Sequence, residues 1–398
     1  MRVLILDDET PRATVWKKSL DALVGGEVVV YDAGQVSNLI GELHRARFNS
    51  RNGDYKPASS LEGYDLIIVD YDLLGLEMER PAAWATGAEL AYSIRLMSTV
   101  GPIVVVNQFG TNAFDLTMRR GISSYADLDV GSAQITASGL WSSDGFAGFR
   151  PWHWPNLHEE VTRFENLNAF VLKHLDSPVL SVLNFELEDS DAWNFISYEM
   201  VSFLGVGQQK KETTFREMVK GNAGLRVFNI LEKDEKLISS LPDEQAARIA
   251  AAILIHWLEK VVLPSQEVIA DVPHLSMQLP WIVEDFSNPQ AWADLCSLGD
   301  AHIPKFLIPY KVEPECLFSR PTFWAERARR DSQFPDKFEF SKLPNIQFCE
   351  DVSRFVPEDQ ASSFPSDVIA FDKKRWVEIP KSSGTSTVNY EPQSYLLM

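Results

Sequence analysis

Carboxylates stand directly after two apolar runs of this chain. Leu4-Ile5-Leu6 leads into Asp7 and Asp8, and Leu66-Ile67-Ile68-Val69 leads into Asp70, with Asp72 two residues later. Apolar runs of this length are strand patterns, and the loops leaving the carboxyl ends of parallel strands build the sites of open α/β sheets. Acids gathered on one such edge repel one another at neutral pH. They persist best around a hard divalent cation such as magnesium, which takes oxygen ligands in octahedral geometry. Asp7, Asp8 and Asp70 are therefore the candidate metal ligands.

The elements that must hold these acids alternate in type. Short β-rich runs at residues 3–6, 27–31, 66–69, 103–106 and 123–126 are separated by helical spacing at 11–23, 36–48, 88–97 and 111–120, the last stopped by Gly121. Near-continuous Val, Ile and Leu in strands implies burial on both faces, which belongs to parallel sheets covered by helices. The pattern predicts an α/β domain over residues 1–130, a doubly wound five-stranded parallel sheet.

Leu4-Ile5-Leu6-Asp7-Asp8-Glu9 resembles the acidic pair ending the first strand of two-component receiver domains. Asp65-Leu66-Ile67-Ile68-Val69-Asp70-Tyr71-Asp72-Leu73 resembles the strand that carries their phosphoaccepting aspartate. Thr86-Gly87-Ala88-Glu89-Leu90 resembles the small-residue-plus-glycine start of the third helix, displaced from Asp70 by an insertion at 75–85. The resemblance implies a receiver, flavodoxin-like fold, magnesium held by Asp7, Asp8 and Asp70, and in-line phosphoryl transfer to Asp70. It also implies a sensor kinase as partner.

Two departures bear on that chemistry. Asn107 closes the fourth strand where the family has a Ser or Thr that contacts the phosphoryl group. Gly121-Ile122-Ser123-Ser124-Tyr125-Ala126 resembles the family's Gly-Ala-x-x-Tyr strand and puts Tyr125 on the aromatic switch position, but Leu128 and Asp129 stand where the family has Lys-Pro. No lysine occurs between Lys56 and Lys173, so no shift of alignment restores it, and Arg119 or Arg120 would have to swing in to replace its charge. Phosphoryl transfer is catalysed mainly by positioning and by cationic stabilisation of the oxygens. The expectation is an atypical response-regulator-like signalling protein, a pseudo-receiver in which Asp70 forms a phosphoaspartate slowly or not at all.

Residues 131–156, rich in Gly, Ser and Trp, are expected to be a linker, 157–380 a mainly helical C-terminal domain, and 381–398 a flexible tail. The helical domain is expected to relay the signal through protein–protein contacts. Its histidines and the cysteines Cys296, Cys316 and Cys349 lack zinc-site spacing, and the sparse, odd cysteine set fits reduced thiols in a cytoplasm. A formal charge of −19 opposes nucleic-acid backbones and anionic lipid, and the apolar stretch at 246–263 is broken by Arg248, His256, Glu259 and Lys260. Neither nucleic acid nor membrane is an expected partner, while self-association is left open. Asp70-Tyr71-Asp72-Leu73-Leu74-Gly75 also resembles the Asp-x-Asp-x-x-Gly run of toprim domains, so a metal-dependent phosphodiester enzyme is the alternative, and a scaffold or adaptor with a degenerate receiver is the third. No Gly-rich phosphate loop, nucleophile elbow or HExxH run is present, and catalysis is not expected.

Overall fold

The computed structural model describes residues 1–73, 75–76, 86–107, 126–142, 156–185, 212–220, 235–296, 303–331, 334–350, 352–363 and 376–378. Strands β1 (Arg2–Leu6), β2 (Glu27–Tyr31), β3 (Leu66–Asp70), β4 (Ile103–Asn107) and β5 (Leu128–Gly131) form one all-parallel sheet in the order β2-β1-β3-β4-β5. Helices α1 (Thr10–Leu23), α2 (Ala33–Ser50) and α3 (Gly87–Met97) cover it. Alternation along the strands sorts the layers. Val3, Ile5, Leu66, Ile68, Val104 and Val106 face Ala13, Trp16 and Leu20 of α1. Leu4, Leu6, Ile67, Val69, Ile103 and Val105 face α2 and α3 on the other side. Two buried faces explain why these strands are apolar at every position. The architecture is a doubly wound, flavodoxin-like α/β layer.

The fifth strand differs from the sequence expectation at 123–126. It runs from Leu128 to Gly131, with Leu128 opposite Val104 and Gly131 opposite Asn107. Leu128 and Asp129 therefore lie inside the strand, and Gly131 and Ser132 occupy its carboxyl end. As an edge strand it is half-exposed at Leu128 and Asp129, which is why an acid is tolerated and the apolar pattern is short. Tyr125, Arg119, Arg120 and the helical pattern at 111–120 lie outside the described residues.

The strand also crosses the boundary drawn at 130. Helix α4 (Ser132–Ile135) follows it, and Ile135, Leu140 and Trp141 are buried in the α1-side layer, with the Trp141 indole Nε1 donating to the Ile135 carbonyl at 2.8 Å. The stretch from 131 to 141 thus packs as part of the α/β layer. Residues 143–155 and the tail from 379 lie outside the described residues.

Helices α5 (Leu157–Lys173), α6 (Phe215–Lys220) and α7 (Asp243–Trp257) share one continuous core with the α3 side of the sheet through Phe164, Leu167, Phe215, Ala246 and Ala250. Gln245 of α7 is buried and its side-chain amide donates to the carbonyls of Arg95 (2.6 Å) and Leu96 (3.2 Å), satisfying orphan groups at the end of α3. The apolar stretch that begins in α7 continues as a π-turn, Leu258–Val262, and packs inside. Among the described residues no helix is long and apolar enough to cross a membrane.

Beyond it the chain is more mixed than the helical expectation. Helix α8 (Val272–Gln278) is followed by other short helical turns, as the density of prolines requires. Two sheets accompany them: a pair of β6 (Ala270–Asp271) and β7 (Thr322–Phe323), and a four-stranded sheet of β8 (Ile346–Cys349), β9 (Arg354–Pro357), β10 (Ala361–Ser363) and β11 (Trp376–Glu378), ordered β10-β11-β8-β9. Strands of two to four residues carry too little alternation to be read from sequence.

Candidate metal and phosphoryl site

In the order β2-β1-β3-β4-β5 the chain leaves β1 in one direction and β3 in the other, so the crevice between their carboxyl ends is the topological switch point. Asp7 is the first residue beyond β1 and Asp70 the last of β3, and both are fully buried. Asp7, Asp8 and Asp70 each present an oxygen to the same space, these atoms all lying within 4.8 Å of one another. The structure thus brings together the three acids singled out from the sequence. Asp72 is not in this group; it forms an isolated antiparallel bridge with Thr86.

The helix start at Thr86 is built against Asp70. Thr86 and Glu89 form a capping box, and the Gly87 amide donates to the Tyr71 carbonyl at 2.7 Å. A Cβ on Gly87 would fall 2.1 Å from the Asp70 carbonyl oxygen, so only glycine permits this approach. Across the pocket, the Gly75 amide donates to Asp8 Oδ2 at 2.7 Å and folds the loop after β3 over that carboxylate. Asn107 ends β4 on the same edge, opposite Gly131; its side chain lies outside the described residues.

The pocket contains a cation that sequence reasoning missed. Arg12, on the first turn of α1, donates to Asp7 through Nε (2.9 Å) and Nη2 (2.7 Å), and Nη2 also donates to Asp70 Oδ2 at 2.6 Å. Nη2 lies 3.6 Å from Asp8 Oδ1, and Nη1 lies 3.6 Å from Glu9 Oε2. A single guanidinium therefore meets four carboxylates. The available signal was spacing: Arg12 follows Asp8 by four residues at the start of a helix, where i,i+4 partners face each other. Its contact with Asp70, 58 residues away, has no sequence signature.

Electrostatics divides the cluster unevenly. Burial pushes the Asp8 carboxyl above its ordinary range and the Asp7 charge adds to this, against the opposing Gly75 amide and Arg12. For Arg12, burial disfavours the charge, but the hydrogen bonds to Asp7 and the charge of Asp70 outweigh it and hold the guanidinium protonated. The helix macrodipole also opposes a cation at an amino-terminal turn, so the acids must supply the compensation.

The donor set fits a hard divalent ion. Two oxygens on one octahedral magnesium lie up to about 4.2 Å apart, twice the metal–oxygen bond, so small side-chain rotations would bring three acids within 4.8 Å of one another around one ion. Asp7, Asp8 and Asp70 would hold it. No family model matches the chain, and no curated protein or solved structure matches it.

Proposed function

We propose that the chain is a receiver-like signalling protein in which the acidic pocket of the α/β layer receives the signal and the helices packed on α3 relay it to protein partners. The observation carrying this reading is the convergence of Asp7, Asp8 and Asp70 at the β1/β3 switch point, with Gly87 closed onto Asp70. A phosphodonor kinase is the partner this chemistry suits.

Asp70 is the acceptor position in this reading. A carboxylate oxygen would attack phosphorus in line, forming an acyl phosphate while the donor nitrogen or oxygen leaves. Magnesium, when bound, would neutralise charge on the phosphoryl oxygens. The chain's own groups make the step slow: Arg12 holds Asp70 in a charge-assisted hydrogen bond, and the neighbouring acids repel an incoming phosphate. The path outward is physical. Helix α3 starts on Asp70, and its last turn carries the Gln245 bonds and the buried Arg95–Asp127 ion pair, whose carboxylate also accepts from the Ile103 amide at 2.7 Å.

Titration of the full chain with beryllofluoride and magnesium, followed by fluorine NMR, tests the acceptor role. A bound fluoride resonance that is lost in Asp70→Asn supports it. Absence of any bound resonance in the wild type ends it.

A further inference from the structure

We propose that Arg12 is the resident cation of the acidic pocket and that a divalent metal ion enters only by displacing it. This rests on the reading of Asp7, Asp8 and Asp70 as a metal site. Arg12 Nη2 stands 2.7, 2.6 and 3.6 Å from one oxygen each of Asp7, Asp70 and Asp8, so one nitrogen bridges all three carboxylates. A metal bound to the same oxygens would fall within a few ångströms of it. Two positive centres at that separation repel strongly beside the fully buried Asp7 and Asp70, where little water screens them, so guanidinium and ion exclude each other.

The exit is visible in the same geometry. Arg12 keeps about a fifth of its side chain exposed, lies over the Trp16 ring at 5.7 Å, and already faces the solvent-exposed Glu9 with Nη1. Rotation about its side-chain bonds would exchange Asp7 and Asp70 for Glu9 without leaving the charge unpaired. The pocket then has two self-consistent states, one closed by its own guanidinium and one loaded with metal.

Calorimetric titration of the full chain with magnesium chloride, compared between wild type, Arg12→Met and Arg12→Met with Asp70→Asn, separates the outcomes. Loss of even one charge-assisted competitor should tighten magnesium binding about tenfold or more in Arg12→Met, and Asp70→Asn should remove that gain. Equal affinity in wild type and Arg12→Met overturns the displacement while leaving the metal site standing. No binding to either overturns both. Should Arg12→Met fail to fold, the Arg12 Nε–Hε resonance of the wild type decides: it must move on saturation with magnesium, and an unmoved resonance in the metal-bound protein sinks the proposal.

Discussion

Two clusters in this molecule use the same residue types to opposite ends. At the sheet edge, among the described residues, one cation, Arg12, faces Asp7, Asp8, Asp70 and Glu9. In the C-terminal region His274 of α8 sits between Asp271 and Glu350, its Nε2 2.9 Å from Glu350 Oε1, and Arg320 Nε lies 3.3 Å from Asp271 Oδ2. In the described contacts of that cluster two cations meet two acids. Burial works against the charged His274 imidazole, but Asp271 and Glu350 outweigh it and lift the group to about 9. Asp271 is held below its ordinary range: burial alone would raise it, and His274 and Arg320 reverse the sign. Balance makes that cluster a closed joint between α8 and β8. Among the described residues the sheet-edge pocket keeps an excess of negative charge, and an excess is what an entering cation can use.

The sharpest way to break the comparison is to remove Arg12. Arg12→Met removes the guanidinium that pairs with the buried Asp7 and Asp70, and breaking a buried ion pair costs about 3–5 kcal/mol. Urea unfolding should show the loss, and magnesium should restore part of it. A variant as stable as wild type without metal would mean that the pocket does not depend on Arg12.

The joint responds to pH instead. His274 rises from 6.5 unfolded to about 9 folded, so its stabilisation is complete below pH 6.5 and is lost as pH climbs through 9. A rise of about 2.5 pH units at about 1.4 kcal/mol each is roughly 3–4 kcal/mol. The urea midpoint of the wild type should fall across that window, and His274→Gln should flatten the curve at the lower level. Equal slopes in the two proteins would remove His274 from the joint.

The two clusters also differ in what a reader of the sequence could find. Strands β1, β3 and β4 were legible because burial on both faces forces continuous apolar runs, and the acids at their ends came with them. The edge strand β5 was misplaced because only Val130 and Gly131 are buried in it. Asp7, Asp8 and Asp70 could be assembled by topology alone, since strand order fixes which loops share an edge. Arg12 could not, because its place depends on a side chain reaching from the first turn of α1 to a strand residue 58 positions away. The joint was invisible for the same reason: His274 and Glu350 are 76 residues apart and meet across elements too short to show a period.

A smaller effect tests whether the pocket's shape depends on close backbone approach. Gly87→Ala would force α3 away from the Asp70 carbonyl, because the contact at 2.1 Å is with backbone and cannot turn aside. Overpacking of this kind costs about 2 kcal/mol. Magnesium affinity should weaken in parallel, since Asp70 would move with the helix start. A stable variant with unchanged affinity would show that the wedge is incidental to the pocket.

The smallest expected change has the opposite sign, and it discriminates most finely between a pocket and a joint. Asp8 has a raised folded pKa, caused first by burial and then by Asp7, so its charge weakens the fold once pH passes through that value, and stability is greatest below the unfolded 3.8. Asp8→Asn removes the charge while its amide oxygen can still accept from Gly75. The variant should gain about 1 kcal/mol at neutral pH, as functional-site substitutions commonly do, while losing magnesium affinity. Asp271→Asn in the balanced cluster should instead lose stability, because it strips His274 and Arg320 of a partner. Thermal unfolding of both variants at pH 7 without metal is sufficient to compare them. If Asp8→Asn is destabilised as Asp271→Asn is, the sheet-edge acids are a structural network like the joint, and the excess charge has no receptive role.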